Sequence, residues 1–184
     1  MSAQLEHSLA FADLVSDPPD HAVDLGSGAG IPGLVLALLW PQSRWTLLDA
    51  NERRTTFLAE ALVSLRLSAR VEVVVCRAEV AGRQPGRRGR ADLVVARGFG
   101  PPAVVAECAA PLLRVGGTLI VAEPPGGAPD RWPASGLQLL GLVEDGRTRE
   151  PVALQRLRQG VPCPDRYPRR VGIPLKRPLF TGST

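Results

Sequence analysis

His21-Ala-Val-Asp-Leu-Gly-Ser-Gly-Ala-Gly-Ile-Pro-Gly33 decides the fold of this chain. Ala22 to Leu25 read as a short buried strand. Gly26, Gly28 and Gly30 follow; without a Cβ they let the main chain turn sharply and pass close to a ligand. Pro32 suits the first turn of a helix, where its missing N–H is no loss. Leu34 to Leu39 are all apolar, which predicts a helix buried on most sides. Strand, glycine turn and helix N-terminus together make a cradle for a nucleotide-like cofactor.

Two registers of the turn compete. Gly28, Gly30 and Gly33 have the G-x-G-x-x-G spacing of a dinucleotide site. Gly26, Gly28 and Gly30, preceded by Asp24, have the acidic G-x-G-x-G pattern of methyltransferases that use S-adenosylmethionine (SAM). Charge favours the second. A carboxylate at the mouth of the turn repels a pyrophosphate but attracts the ammonium of a methionine. A glycine-rich turn with no ligand is the plain alternative.

The next elements extend the pattern. Trp45 to Leu48 read as a second strand, followed directly by Asp49. An acid at that point, about 20 residues past the glycines, is where such folds hold ribose hydroxyls; the alternative is a capping or surface Asp. Asn51 to Leu67 form the clearest helix, with Phe57, Leu58, Ala61, Leu62 and Leu65 on one face. Val71 to Cys76 make a third strand, and Arg77-Ala78-Glu79 lie at its end, where an adenine rests in a nucleotide-binding sheet. Glu79 fits equally well as the first-turn acid of a short helix. Ala91 to Ala96 are the fourth strand, ending in Arg97-Gly98. Arg97 faces the crevice where strand order switches and suits a bidentate carboxylate clamp, or else an ion pair with Asp24 or Asp92.

Outside this frame the signals are local. Residues 1–20 offer a short helix with Leu5, Leu9, Ala12 and Leu14 on one face, and His7 reads as a polar helix residue ahead of a ligand role. Asp17-Pro-Pro-Asp20 ends it. Pro101 and Pro102 open a helix striped by Val104, Val105, Cys108 and Leu112, with Gly116-Gly117 as its stop. Thr118 to Ala122 form a fifth strand, and residues 124–136 a loop. Leu137–Val143 and Val152–Leu157 are strand candidates joined through Asp145-Gly146 as a hairpin. Arg83, Arg87, Arg88 and Arg90 make residues 82–90 a basic loop, either solvated or set against phosphates. The tail, 162–180, has five prolines and Arg166, Arg169, Arg170, Lys176 and Arg177. It is too proline-rich for a helix, and it wraps the domain or lies on a phosphate backbone.

At 184 residues and 45% hydrophobic, the chain suits one compact α/β domain spanning 1–184. Aromatics at 4% argue against a base-stacking platform, and a formal charge of +4 is a mild bias toward polyanions. Cys76, Cys108 and Cys163 make neither a zinc pattern nor a disulfide framework, so a reducing cytoplasm and no metal are expected. Neither a leader nor a bilayer-length apolar run is expected, which predicts a soluble cytoplasmic protein with no membrane partner.

The motifs also occur together in one order. Asp24-Leu-Gly-Ser-Gly-Ala-Gly-Ile-Pro-Gly33 precedes Leu47-Leu48-Asp49, Arg54 with Phe57-Leu58, Arg77-Ala78-Glu79 and Ala96-Arg97. Pro111-Leu112-Leu113, Gly116-Gly117, Tyr167-Pro-Arg-Arg-Val-Gly-Ile-Pro174 and Pro178-Leu179 complete the series. In this the chain resembles the RsmG family, also called glucose-inhibited division protein B, from about residue 7 to residue 179. The resemblance implies a class I SAM-dependent methyltransferase fold, a Rossmann-like, mostly parallel seven-stranded sheet with helices on both faces. It implies methyl transfer from SAM to N7 of a guanosine in 16S ribosomal RNA, leaving S-adenosylhomocysteine. The partner is then 16S rRNA or the small ribosomal subunit. By the same resemblance the SAM contacts fall on Gly26, Ile31, Ala78, Glu79 and Arg97, and the ribose carboxylate on Asp49; Asp24, Gly28 and Gly30 come from the turn itself. No catalytic acid or base is implied, because guanine N7 carries a free lone pair.

Two departures stand out. The family has several helices before the glycine strand, of which only His7-Ser-Leu-Ala-Phe11 resembles the last part. Glu123-Pro124-Pro125 stands where a Lys-Gly pair is common. Another substrate on the same fold, or a shortened relative that binds SAM or RNA without turnover, are the alternatives.

Overall fold

The computed structural model describes residues 3–126 and 130–181. A seven-stranded sheet has the order β3-β2-β1-β4-β5-β7-β6. Its parallel part is β1 (His21–Leu25), β2 (Arg44–Asp49), β3 (Val71–Val75), β4 (Ala91–Ala96) and β5 (Leu113–Ala122). β6 (Leu142–Thr148) and β7 (Leu154–Gln159) close one edge antiparallel to it. Chain order runs outward from β1 in one direction to β3 and then restarts beside β1 with β4. That reversal opens a crevice at the C-terminal ends of β1 and β4.

Side-chain alternation sorts the strands onto two cores. Val23, Leu25, Val94, Ala96, Leu119 and Val121 face one side, under α5 (Pro102–Ala109) and the C-terminal tail. Ala22, Leu47, Leu93, Val95 and Ile120 face the other, against α2 (Gly33–Leu39), α3 (Glu52–Ser64) and Phe11 of α1 (Ala3–Ala12). Three short helices complete the chain: α4 (Ala78–Ala81), α6 (Ala134–Gln138) and α7 (Ile173–Lys176).

Several expectations are corrected. α2 buries Leu34, Leu36 and Ala37 but exposes Leu38 and Leu39, because it covers the sheet with one side only. Pro32 sits at its N-cap rather than inside it. α3 is rotated from the expected stripe: Thr55, Leu58 and Leu62 are inside, while Phe57 and Leu65 are exposed. In α1 the buried anchor is Phe11, with Leu5 and Leu9 only half-buried. Gly116-Gly117 do not end a helix; α5 stops at Ala109, and both glycines lie within β5. Leu137 belongs to α6, not to a strand. Asp145-Gly146 lie inside β6, where the register shifts between Glu144 and Gly146; the hairpin turn comes later, where the Thr148 hydroxyl donates to the Val152 carbonyl at 2.7 Å.

The basic loop and the tail hold one another. Arg88 donates to the carbonyls of Gly82, Cys163, Pro164 and Tyr167. Arg87 pairs with Glu72 at 2.7 Å. These two arginines make their contacts within the fold. The tail wraps the domain, and it includes one helical turn despite its prolines. Its main clasp is Arg169, which binds the fully buried Glu107 carboxylate through its main-chain N–H at 2.8 Å, Nε at 2.9 Å and Nη2 at 2.6 Å.

Candidate functional site

Gly26, Gly28 and Gly30 all have left-handed φ, at 75°, 56° and 84°, and Gly33 does not. The conformation that glycine uniquely suits therefore falls on the G-x-G-x-G register. Gly33 serves packing: a Cβ there would lie 2.7 Å from that of Asp24. The turn is tied to the tip of β2, with the N–H groups of Gly26 and Ser27 donating to the Leu48 carbonyl at 2.8 and 3.1 Å. A Cβ on Gly30 would press into Leu34 and Leu58, and one on Gly26 into Phe99 at 2.6 Å. On Gly28 it would meet only the Gly26 carbonyl, at 3.8 Å, so that corner of the turn is open.

Asp24 does not sit at the mouth of the turn. Strand alternation places it on the α2 side, where it is buried and accepts the Gly33 N–H at 3.0 Å. Burial pushes its carboxyl up to about 7, while the Gly33 N–H pulls it back down. Asp49 ends β2 on the crevice. Its Oδ2 accepts from Gly28 N–H at 2.9 Å and its Oδ1 from Asn51 N–H at 2.8 Å, with Arg54 Nη1 3.7 Å away. A carboxylate has about four acceptor positions, so both oxygens retain capacity for hydroxyls.

A cavity of about 280 Å³ opens beside Asp49. Gly26, Asp49, Ala78 and Glu79 line it, whereas Asp24, Gly28, Gly30 and Ile31 do not. Glu79 is indeed a first-turn acid, in α4, and its Oε1 takes the Gly172 N–H from the tail at 2.9 Å. Across Gly98, Phe99 and Gly100 lies a second cavity of about 350 Å³, lined by Arg97, His7, Glu123 and Trp132. Gly98, Phe99 and Gly100 border both.

Arg97 forms neither expected ion pair among the described residues; Asp92 binds Arg114 instead. Its Nη1 is buried without a hydrogen-bond partner among the described residues, and so is His7 Nε2. His7 is held below its ordinary value by burial and then by the charge of Arg97, which keeps the ring neutral. Glu123 binds Arg131 and accepts from Trp132 Nε1 at 3.1 Å; burial raises its carboxyl against those contacts. Sequence reasoning missed Trp132 and ranked a ligand role for His7 below that of a polar helix residue; Phe99 lies in the loop after Arg97. His7 is far from Arg97 in the chain, and only the fold brings them to one cavity. Among the described residues no cluster of acids, cysteines and histidines suits a metal.

The family model for rRNA small subunit methyltransferase G matches residues 1–123. The chain belongs to that family. A ribosomal RNA small subunit methyltransferase G of Moorella thermoacetica is 35% identical over 186 residues, covering 95% of this chain and 76% of that protein. One from Prochlorococcus marinus is 40% identical over 169 residues, covering 88% and 68%. Among solved structures, geranyl diphosphate C-methyltransferase from Streptomyces coelicolor, solved with Mg2+, geranyl diphosphate and S-adenosyl-L-homocysteine, superposes with a TM-score of 0.65. It covers 84% of this chain and 78% of its own at 14% identity, a likeness of fold alone. This member of the methyltransferase G family thus has the class I fold, and it is an enzyme that uses SAM. No helix among the described residues is long and apolar enough to cross a membrane.

Proposed function

We propose that this chain transfers a methyl group from SAM to N7 of a guanosine in 16S rRNA, as a cytoplasmic enzyme acting on the small ribosomal subunit. The reading rests first on its family. The observation that carries it in the molecule is the pair of buried polar atoms, Arg97 Nη1 and His7 Nε2, both without hydrogen-bond partners among the described residues at the cavity bordered by Phe99 and Trp132. Buried donors and acceptors in native proteins are nearly always satisfied, so two exceptions lining one cavity support a polar ligand there.

The chain's residues fit the cofactor. Asp49 offers free lone pairs to two ribose hydroxyls. Gly26, Ala78 and Glu79 border the adjoining cavity where adenosine fits, Gly28 leaves room at the turn, and Ile31 precedes α2. Arg97 matches the methionine carboxylate, while the buried Asp24 carboxyl holds the turn through the Gly33 N–H. When bound, SAM supplies a methyl already activated by its sulfonium. The cavity of His7, Phe99, Glu123 and Trp132 then receives the base. Guanine N7 needs no deprotonation, so the protein's task is alignment. A neutral His7 offers a hydrogen bond without adding positive charge next to a base that becomes cationic.

The test is tritium transfer from labelled SAM to 30S particles from cells lacking the modification, with the base mapped. Label on guanine N7, falling steeply with salt, is expected. Bound S-adenosylhomocysteine with no transfer to RNA would instead mean a binding relative without turnover.

A further inference from the structure

The C-terminal tail reaches the first cavity. Gly172 and Leu175 line it together with Cys76, Ala78 and Glu79, the residues at the end of β3. Those two belong to neither the glycine turn nor the sheet. They arrive there because the tail is clasped twice. Arg169 is locked onto buried Glu107, and three residues later the Gly172 N–H donates to Glu79 Oε1 at 2.9 Å. Gly172 has a left-handed φ of 79° and precedes α7, which packs against α5. Leu175 is 65% exposed, a large apolar side chain lining a cavity that Val104 and Cys108 also line.

An exposed leucine gains nothing at that position in the free protein. It gains when a flat apolar ring enters the cavity and the two surfaces leave water together. Polar chemistry at this wall is partly committed already, since one Glu79 oxygen serves the tail. The remaining oxygen, Oε2, has no partner among the described residues and can accept from an exocyclic amine. The tail segment thus supplies both the hydrophobic cover and the restraint on the acid beside it.

We propose that residues 172–175 form the outer wall of the adenine compartment, with Leu175 covering the ring and the Gly172–Glu79 bond setting the wall's position. This rests on the cofactor reading above and deepens it: the tail becomes a cofactor-binding element, beyond its role of closing the fold. Exposed Arg170, Lys176 and Arg177 flank that wall, so phosphates held there would lie next to the cofactor.

The test is calorimetry with S-adenosylhomocysteine and with 5′-methylthioadenosine on the full chain and on Leu175→Ala and Leu175→Asp. Leu175 is a surface residue, so both variants are expected to keep the native Tm. Leu175→Ala should weaken both ligands by the same factor, roughly threefold to tenfold, because the lost contact is to the shared ring. Leu175→Asp should weaken them more. Hydrogen exchange over 170–177 should slow in the native chain when S-adenosylhomocysteine is added. Native-like affinity of both variants would overturn the wall while leaving the cofactor reading intact. Failure of the native chain to bind either ligand would overturn the cofactor reading and this inference with it.

Discussion

The Asp49 carboxylate accepts the Gly28 N–H at 2.9 Å, so the acid at the tip of β2 also fixes the turn after β1. Asp49 therefore has two roles that a single truncation would mix. Asp49→Ala should weaken S-adenosylhomocysteine binding by about 1–3 kcal/mol and lower Tm, since Gly28 and Asn51 lose their acceptor together. Asp49→Asn keeps one oxygen and should preserve more of the stability than of the affinity. Calorimetry alongside thermal melts separates the two; unchanged affinity in both variants would remove Asp49 from the site.

The glycines of the turn divide in the same way. A Cβ at Gly28 meets open space, whereas at Gly30 it drives into Leu34, 2.7 Å from its Cγ. Gly28→Val should remain folded, with strain of roughly 1–2 kcal/mol from its positive φ, and lose the cofactor. Gly30→Ala should fail on stability, with a melting temperature far below native. A folded Gly28→Val that binds S-adenosylhomocysteine normally would refute the placement of the cofactor at this turn.

Asp24 predicts a pH dependence. Its folded carboxyl titrates near 7, above an unfolded value of 3.8. Between those values the folded state holds the extra proton, so stability is full below the lower value and falls as pH rises to about 7. At roughly 1.4 kcal/mol per unit, the loss amounts to a few kcal/mol. Asp24→Asn retains an oxygen for the Gly33 N–H and does not titrate. Its Tm should fall less than the native Tm between pH 5 and pH 7.5. Parallel melting curves for the two proteins would exclude the raised carboxyl.

Arg97 predicts a split between ligands. Its unsatisfied Nη1 is matched to the methionine carboxylate, a group absent from 5′-methylthioadenosine. Arg97→Ala should weaken S-adenosylhomocysteine by about 1.5–3 kcal/mol, the range for a hydrogen bond to a charged group, and leave 5′-methylthioadenosine unchanged. Equal losses for both would place Arg97 at the adenosine end, or in the fold.

How far the sequence carries follows from range. Strand, glycine turn and following acid are local patterns that spacing makes readable; spacing left two glycine registers open, and the positive φ of Gly26 selects between them. The strand cores were readable too, because runs such as Ala91 to Ala96 are buried on both faces. What failed was register within ambiguous apolar stretches. Leu137 to Leu142 spans the end of a helix and the start of a strand, and Asp145-Gly146 carries a turn signal that the chain spends on a bulge. The site's second half was invisible for another reason. His7 and Arg97, Glu79 and Gly172, and Glu107 and Arg169 are far apart in the chain, and no spacing rule connects them. Arg88 shows the same limit: a loop arginine reads as solvated, yet it binds four carbonyls of the tail and its neighbourhood.

Glu107 and Arg169 give the strongest stability prediction. Glu107 is fully buried on α5, and all its partners in the tail come from one residue. Arg169→Ala would leave a carboxylate inside the core with only a main-chain N–H, and breaking such a buried pair costs about 3–5 kcal/mol. Glu107→Gln should cost less, because the amide is neutral and still accepts that N–H. Replacing both members with Glu107→Leu and Arg169→Met should recover much of the loss, since the desolvated charge is gone. The Tm order expected is native, then Glu107→Gln, then Arg169→Ala, with the double replacement above Arg169→Ala. Because the same clasp sets where Gly172 meets Glu79, Arg169→Ala should also weaken 5′-methylthioadenosine at temperatures where it remains folded, whereas native-like affinity there would show that the tail reaches the cavity without this anchor.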